Sequence, residues 1–241
     1  MPTYFYEKED NHHTITIDTF YGVFNNYRLW KYFIAMLLTL GKTNISEYRI
    51  LEAGIGGNIK LNYLVEIGAK AANCFGFDIN KRAIDVAASV SPENMNFQVA
   101  SVMETPFKNN TFDLVICSGL FCCFKDTSDI KNVSQELRRI MKHNGVLMIS
   151  DITERFPNYS NERHARHFKF FDTTKDEMEF LLSDEFSIFR RVNTFLSERY
   201  HIIEDTGKRD ADIAELPLID KGMDAGTIPC AYCLYSFLPK T

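Results

Sequence analysis

The sequence of 241 residues has no apolar run long enough to cross a bilayer. Its longest run, Phe33–Leu40, has eight residues and contains Thr39, whereas a membrane-spanning helix needs roughly twenty. Residues 1–10 are acidic and lack the basic start and the apolar stretch of a signal peptide. We therefore expect no membrane segment and a cytoplasmic location.

The chain has fewer basic than acidic residues, and it has no segment with the composition of a linker. It has 27 Lys and Arg residues against 32 Asp and Glu residues, which gives a net charge of −5. Non-specific nucleic-acid binding depends on Lys and Arg that neutralise phosphates, so no nucleic-acid partner is expected. The 12 glycines and 7 prolines form no low-complexity segment. The 45% apolar content is enough for one large core, and the length suits one α/β domain or two small ones.

The six cysteines do not form the pattern of a metal site. Cys230 and Cys233 match C-x-x-C, but no second pair and no histidine cluster accompanies them. They fall in an alternating segment, 229–238, that predicts a strand, and a strand would point the two thiols to opposite faces. In a reducing compartment we expect free thiols that pack as small apolar side chains, and no metal site.

Apolar residues at helical spacing predict one long helix, or two, over Phe20–Leu40. With the polar residues before it, this segment makes residues 1–44 a tail and a cap helix in front of the main domain, residues 45–241. The charged segment 197–227 is interpreted as a lid or insertion. Acceptor binding is therefore expected within residues 152–228.

From residue 49 onwards, short apolar strands alternate with helices. This alternation predicts an α/β fold with a parallel, doubly wound sheet and right-handed crossovers. Ligands of such sheets bind outside the carboxyl ends of the strands, so the residues directly after each strand are the candidates. The predicted strands are 49–53, 74–78, 94–100, 112–118, 146–150, 186–195 and 229–238, and the predicted helices are 58–67, 81–88, 129–141 and 174–183.

A glycine loop follows the first predicted strand. Gly54 and Gly56 permit a sharp turn and a close approach of a ligand to the backbone. The dinucleotide fingerprint needs a third glycine where Ile59 stands, which weakens a nicotinamide site, and no phosphate-loop lysine follows. Asp78 ends the next strand, where a carboxylate can accept both hydroxyls of an adenosine ribose. Its alternative role is a helix N-cap or a turn residue before Asn80.

At these residues the sequence resembles the class I S-adenosylmethionine-dependent methyltransferases. The first motif of that family commonly reads L-D-x-G-x-G-x-G, and this chain has Leu-Glu-Ala-Gly-Ile-Gly-Gly-Asn there. Family members with similar motif sequences occur in bacterial surface-polysaccharide and secondary-metabolite gene sets. The segments that carry the resemblance, in the family's order, are Ile50–Asn58, Phe75–Asp78, Ala100–Phe107, Asn110–Ile116 and Glu136–Leu147.

The resemblance implies S-adenosylmethionine as the cofactor and S-adenosylhomocysteine as its product. It also implies a seven-stranded, mostly parallel, Rossmann-like sheet with an N-terminal helical cap. Arg28 of that cap is either a contact of the cofactor carboxylate or a solvated helix charge, and Ser101 stands where the family often has an Asp. The implied cofactor residues are Glu52, Gly54, Gly56 and Cys117 at the methionine part, Asp78 at the ribose, and Ile79, Ser101 and Val102 at the adenine.

Methyl transfer from a sulfonium relies mainly on positioning, but a hydroxyl acceptor also needs a base. Asp151, directly after the fifth strand, is one candidate, and a loop cap is its alternative role. His164 and His167 are the other candidates, because imidazole is the usual proton acceptor near neutral pH; their alternative is an exposed loop. Cys122 and Cys123 stand where many relatives carry two histidines, so no base is expected from that loop.

The sequence as a whole favours a methyltransferase that acts on a small molecule. O-methylation of a sugar, a sugar phosphate or a secondary metabolite is the first hypothesis. The alternatives are N-methylation of an amino sugar or a small amine, and a non-catalytic S-adenosylmethionine-binding protein, because a fold does not fix a function. The loop Cys117–Phe121 lacks the N/D-P-P-Y sequence of nucleic-acid amino-methyltransferases. The oligomeric state is left open.

Overall fold

The computed structural model describes residues 20–57, 59–124, 126–152, 182–196, 218, 220–222, 224–225 and 230–240. None of the helices within these ranges is both long enough and apolar enough to span a membrane. In chain order, the elements are α1 (Phe20–Thr39), β1 (Ile50–Ala53), α2 (Lys60–Glu66), β2 (Cys74–Asp78), α3 (Lys81–Val90), β3 (Asn96–Val99), β4 (Phe112–Ser118), α4 (Thr127–Ile140), β5 (Met141–Ile152), β6 (Phe186–Leu196) and β7 (Cys230–Pro239).

One seven-stranded sheet organises the molecule, in the order β3-β2-β1-β4-β5-β7-β6. The first five strands of this order are parallel, and β7 runs antiparallel between β5 and β6. The chain leaves β1 towards β3 and then returns to β4 on the other side of β1. The predicted doubly wound, mostly parallel sheet is confirmed, and its switch point between β1 and β4 is where such sheets bind ligands.

Helix α1 is one continuous helix rather than two. Its buried apolar residues recur at spacings of three and four, which places them on one face. That face packs with α2 against one side of the sheet, whereas α4 covers the opposite side. The residues of α1 that belong to the core cluster shared with α2 are Leu29, Phe33, Met36 and Leu37.

The boundary between α4 and β5 differs from the sequence prediction. We predicted a helix through Met141 that ends at Asn144-Gly145, but α4 ends at Ile140 and β5 begins at Met141. The reason is strand pairing: Met141 is fully buried and pairs with Phe112 at the start of β4. The Lys142 ammonium then binds the Asp113 carboxylate at 2.8 Å. Tertiary pairing thus overrides the local helical pattern.

A loop over residues 100–111 covers the β2 side of the sheet on the α4 face. Phe107 of this loop packs edge-on against Phe112, with ring centroids 4.8 Å apart. It also lies 6.1 Å from the rings of Phe75 and Phe77. Edge-to-face aromatic pairs stabilise beyond their buried area, so this cluster anchors the loop beside the carboxyl ends of β2 and β3.

Four of the six cysteines lie in the described part of the chain with their side chains, and all four are free thiols. Cys74, Cys117 and Cys122 are buried, and Cys123 is half-buried. The side chains of Cys230 and Cys233 lie outside the described residues, as do most of the predicted helix 174–183 and of the segment 197–227. Among the described residues, no three potential metal ligands cluster.

Candidate cofactor site

The glycine loop after β1 adopts a backbone that favours glycine at two positions. Gly54 has φ = +71° and Gly56 has φ = +56°, both in the left-handed region. A Cβ added to Gly54 would lie 2.9 Å from the Cδ1 of Leu120, whereas a Cβ on Gly56 would meet nothing within 4 Å. The loop therefore packs tightly against the loop after β4 at Gly54 and borders open space at Gly56.

Asp78 closes this loop from the end of β2. Its Oδ2 accepts a hydrogen bond from the Gly56 N–H at 3.0 Å, and its Oδ1 accepts one from the Asn80 N–H at 2.8 Å. The N-cap of α3 is Asn80, whose side chain accepts from the Arg82 N–H at 3.0 Å. Asp78 is thus a turn residue and not the helix cap. A carboxylate has about four acceptor positions, so both oxygens keep capacity for a vicinal diol in the space beside Gly56.

Glu52 lies fully buried under the glycine loop. One of its oxygens accepts from the Lys60 N–H at 2.8 Å and from the Leu61 N–H at 3.2 Å. The carboxylate therefore satisfies the first free amides of α2 and ties the two ends of the loop together. Burial raises the pKa of Glu52 to about 7, against the lowering effect of Lys60 and of the backbone hydrogen bonds. Burial likewise lowers the pKa of Lys60.

The three residues predicted at the adenine lie together at the carboxyl ends of β2 and β3. Ile79 is half-buried directly after β2, and Val102 is buried. The Ser101 hydroxyl accepts a hydrogen bond from the Met103 N–H at 3.1 Å, so it also shapes its own turn. The structure brings these residues to one edge of the sheet, and their contacts with a cofactor remain predictions.

Two side chains of α4, a carboxylate and a guanidinium, hold the loop over residues 100–111 in place. The sequence analysis did not identify this role. Glu136 accepts from the N–H of Thr105 at 2.7 Å and from its hydroxyl at 2.6 Å. Arg139 binds Glu136 at 2.6 Å and donates to the Phe107 carbonyl at 2.8 Å. We call Glu136 and Arg139 the loop bracket. The sequence does contain the pattern E-x-x-R, which could have indicated this ion pair, because residues three apart lie on the same face of a helix.

Arg28 is fully buried, so the solvated-charge interpretation of this residue is wrong. Its guanidinium contacts the side chain of Asp220, donates to the Asp220 carbonyl at 3.0 Å and binds the Asp224 carboxylate at 2.8 Å. It also lies 5.3 Å from the ring centroid of Tyr32. Arg28 thus does contact carboxylates, but these belong to the protein itself, and a cofactor contact stays a prediction.

The candidate base Asp151 has the contacts of a loop cap. Its side chain is fully buried, and its Oδ2 accepts from the N–H groups of Phe121 at 2.8 Å and Cys122 at 3.3 Å. The Cys122 thiol donates to the carbonyl of Gly119 at 3.3 Å in the same turn. These bonds favour a positioning role for Asp151, and its role as a base remains a prediction.

Cys117 is buried near the end of β4, and this burial raises the pKa of its thiol. In register it pairs with Ala53 of β1, one residue before the glycine loop. Its carbonyl is therefore placed at the predicted methionine end of the site, although a contact there remains a prediction. His164 and His167, the other base candidates, lie outside the described residues.

Comparison with known proteins points to one kind of domain. Residues 51–149 match the family model described as a methyltransferase domain. The chain is 25% identical over 127 residues to an uncharacterized methyltransferase, YcgJ, of Bacillus subtilis (strain 168), a match that covers 48% of each chain. The chain spans about half the length of the curated relatives it matches.

Solved structures with the same fold cover more of the chain. An S-adenosylmethionine-dependent methyltransferase from Mesorhizobium loti matches with a TM-score of 0.60 at 15% identity, over 88% of this chain and 98% of that one. The YcgJ protein of Bacillus subtilis matches with a TM-score of 0.53 at 19% identity, over 89% and 97%. At these identities the likeness establishes the fold, and the predicted seven-stranded, Rossmann-like architecture with its N-terminal helix is confirmed.

Proposed function

We propose that this chain, in which residues 51–149 are a methyltransferase domain with S-adenosylmethionine as its cofactor, methylates a small-molecule acceptor in the cytoplasm. The observation that carries the proposal is the contact between Asp78 and Gly56. It places a buried carboxylate against a glycine loop at the switch point of the sheet, beside open space. That arrangement suits a ligand with a ribose and a narrow chain that passes close to the backbone.

The residues of this chain contribute mainly to orientation. When bound, the cofactor supplies a methyl group on a sulfonium, which carries its own leaving group. Asp78 would then accept hydrogen bonds from the two ribose hydroxyls, and the loop at Gly54–Gly56 would lie along the methionine part. Cys117 would offer its carbonyl to the amino group. Holding two reactants in line accounts for roughly 7–11 kcal/mol of barrier in favourable cases.

The acceptor atom is proposed to be an oxygen of a sugar, a sugar phosphate or a secondary metabolite, such as those of bacterial surface polysaccharides. Asp151 already accepts two backbone hydrogen bonds and is fully buried. Because the Asp151 carboxylate is already used in these bonds, we favour an acceptor oxygen that is anionic before transfer, or a proton transfer to His164 or His167. An amine acceptor and a non-catalytic cofactor-binding protein are the alternatives.

Calorimetry with S-adenosylhomocysteine tests the cofactor part of this proposal. Wild-type protein should bind it, and Asp78→Ala should bind at least tenfold more weakly because the ribose loses its acceptor. Asp85→Asn is the matched control, because Asp85 is an exposed carboxylate on α3 whose partner is Lys81. Binding of NADH in place of S-adenosylhomocysteine would overturn the proposal.

A screen with methyl-labelled cofactor identifies the acceptor. Sugar nucleotides, phosphorylated sugars, phenols and amines would be offered to the wild-type protein, and the product would be analysed for O- or N-methylation. On the acceptor found, Asp151→Asn, His164→Ala and His167→Ala would then be compared. A large loss of kcat in His164→Ala or His167→Ala identifies that histidine as the base, whereas a loss in Asp151→Asn alone is also the result expected of its positioning contacts. Equal turnover in all three variants indicates an acceptor that needs no base. Cofactor binding without transfer to any acceptor would favour the non-catalytic alternative.

A further inference from the structure

A groove of about 570 Å³ lies between α1 and α2, and the proposed methyl transfer does not use it. Its volume is in the range of small-molecule sites, which are commonly about 300–1,000 Å³. Two aliphatic side chains, three aromatic rings and four polar or charged side chains line it. They are Asn26, Tyr27, Trp30, Lys31, Ile34, Ile59, Lys60, Tyr63 and Glu66.

The aromatic side chains of the groove are arranged to accept a flat ring. Trp30 and Tyr63 stack across the two helices, with ring centroids 3.9 Å apart and planes at 24°. This stack fixes the position of both rings. Tyr27 lies one helical turn before Trp30, and 54% of its surface is exposed. A large aromatic residue that exposes this much surface leaves apolar area for a ligand to cover.

One accessible ammonium of the groove can meet an anionic ligand, and it belongs to Lys31. The Lys60 side chain is buried, and Glu66 is the carboxylate of the groove. The Lys31 side chain is 34% exposed, and its ammonium lies 5.8 Å from the centroid of the Tyr27 ring. This ammonium already binds Asp220 at 2.8 Å, but an ammonium has three donors, so it can bind a second anion.

We propose that the groove between α1 and α2 is a binding site for a planar aromatic acid, whose ring lies on Tyr27 and Trp30 and whose acidic group meets the ammonium of Lys31. Ile59 and Lys60, which lie at the start of α2 directly after the glycine loop, also line the groove. A ligand in the groove therefore also contacts the start of α2, which Glu52 ties to the end of β1. The site is distinct from the cofactor residues at Asp78.

The single tryptophan of the sequence makes this proposal directly measurable. Because Trp30 is that residue, all tryptophan fluorescence of the protein reports on the groove. Cinnamate serves as the aromatic acid, cinnamamide as its uncharged analogue, and cyclohexanecarboxylate as a non-aromatic acid. We expect a saturable change of Trp30 emission with cinnamate at a Kd of about 1 mM or below. Both analogues should bind at least about fivefold more weakly, because each lacks one of the two contacts.

Variants then assign the contacts. Lys31→Gln should weaken cinnamate about fivefold and leave cinnamamide unchanged, whereas Lys81→Gln, an exposed lysine of α3, should change neither. Tyr27→Leu should weaken both aromatic probes with little change in melting temperature, since Tyr27 is exposed. If Lys31→Gln destabilises α1, Tyr27→Leu still tests the proposed site.

Three outcomes would overturn the proposal. The first is the absence of a saturable fluorescence change with cinnamate up to about 10 mM, which excludes a site of useful affinity. The second is equal binding of cinnamate and cyclohexanecarboxylate, which would exclude aromatic recognition. The third is wild-type affinity for cinnamate in both Lys31→Gln and Tyr27→Leu. The result does not depend on S-adenosylhomocysteine binding, so it stands or falls separately from the proposed methyl transfer.

Discussion

The carboxylate of Asp78 accepts the N–H of Gly56 across 22 residues of sequence and so holds the glycine loop onto the end of β2. The loop is therefore shaped before any ligand arrives, and the same carboxylate keeps acceptor positions for a ligand. Preorganisation of this kind lowers the entropy that binding must overcome. The predictions that follow concern the supports around this contact.

Gly54→Ala is expected to destabilise the protein by about 2 kcal/mol. Its left-handed backbone disfavours a side chain by roughly 1–2 kcal/mol, and the new Cβ would also press on Leu120. The matched control is Gly41→Ala, which has φ = +72° but no neighbour within 4 Å and should cost only about 1 kcal/mol. Urea unfolding measures both. Adding Leu120→Ala to Gly54→Ala should relieve the steric part, and equal effects at Gly54 and Gly41 would contradict the tight approach.

The stability of the protein should fall as the pH rises from about 4.5 to about 7 because of Glu52. Its pKa is raised from 4.5 to about 7 by burial, so the folded state holds a proton that the unfolded state has released in this window. The stabilisation is complete below pH 4.5 and is lost as the pH passes 7; a shift of this size corresponds to about 3 kcal/mol. Glu52→Gln should flatten this part of the profile in urea unfolding. An unchanged slope in Glu52→Gln would assign the pH dependence to other groups.

The loop bracket should matter for cofactor binding although neither of its residues lies at the predicted cofactor contacts. Arg139→Ala removes the bonds to Glu136 and to the Phe107 carbonyl, and so loosens the loop that carries Ser101 and Val102. We expect the Kd for S-adenosylhomocysteine to rise about tenfold, as for supporting residues of other sites.

Arg138→Ala is the control for the bracket, because Arg138 lies on the same helix and donates to the Lys240 carbonyl at 3.0 Å instead. It should change the Kd less than twofold, a difference of only about 0.4 kcal/mol. Similar effects of both variants would mean that α4 acts through general stability and not through this loop.

Arg28→Met should lower the free energy of unfolding by about 2 kcal/mol. The variant leaves Asp220 and Asp224 without their buried partner, but both carboxylates reach solvent, so the loss stays below that of a fully buried pair. Lys70→Met, which breaks the exposed pair with Glu47, should change it by less than about 0.5 kcal/mol. Equal unfolding midpoints for Arg28→Met and Lys70→Met would show that the contacts of Arg28 contribute nothing.

Some parts of the fold and of the site could be predicted from the sequence because they depend on residues that are close together in the chain. The loop at Gly54 and Gly56 needs glycine for its backbone, and Asp78 comes one helix and one strand later, a spacing that the βαβ unit itself sets. The alternation of strands and helices predicted the order of the elements, and the strand predicted at Phe112–Ser118 matches β4 residue for residue.

Other features depend on contacts between distant residues, and sequence patterns do not contain them. Arg28 meets Asp220 and Asp224, which are 192 and 196 positions away. Met141 continues the helical pattern of α4, yet it leaves the helix because Phe112 offers a strand partner. Local periodicity is the same for both outcomes, so only the folded sheet decides between them.

The position of β7 has a consequence for the synthesis of the protein. This strand contains residues 230–239 but lies inside the sheet, paired with both β5 and β6. On the ribosome, β5 emerges long before β7 does, so the edge of β5 that faces away from β4 stays open while about eighty further residues are added. Nascent chains that stall or are cleaved before residue 230 would therefore keep an open edge, which makes them prone to aggregate.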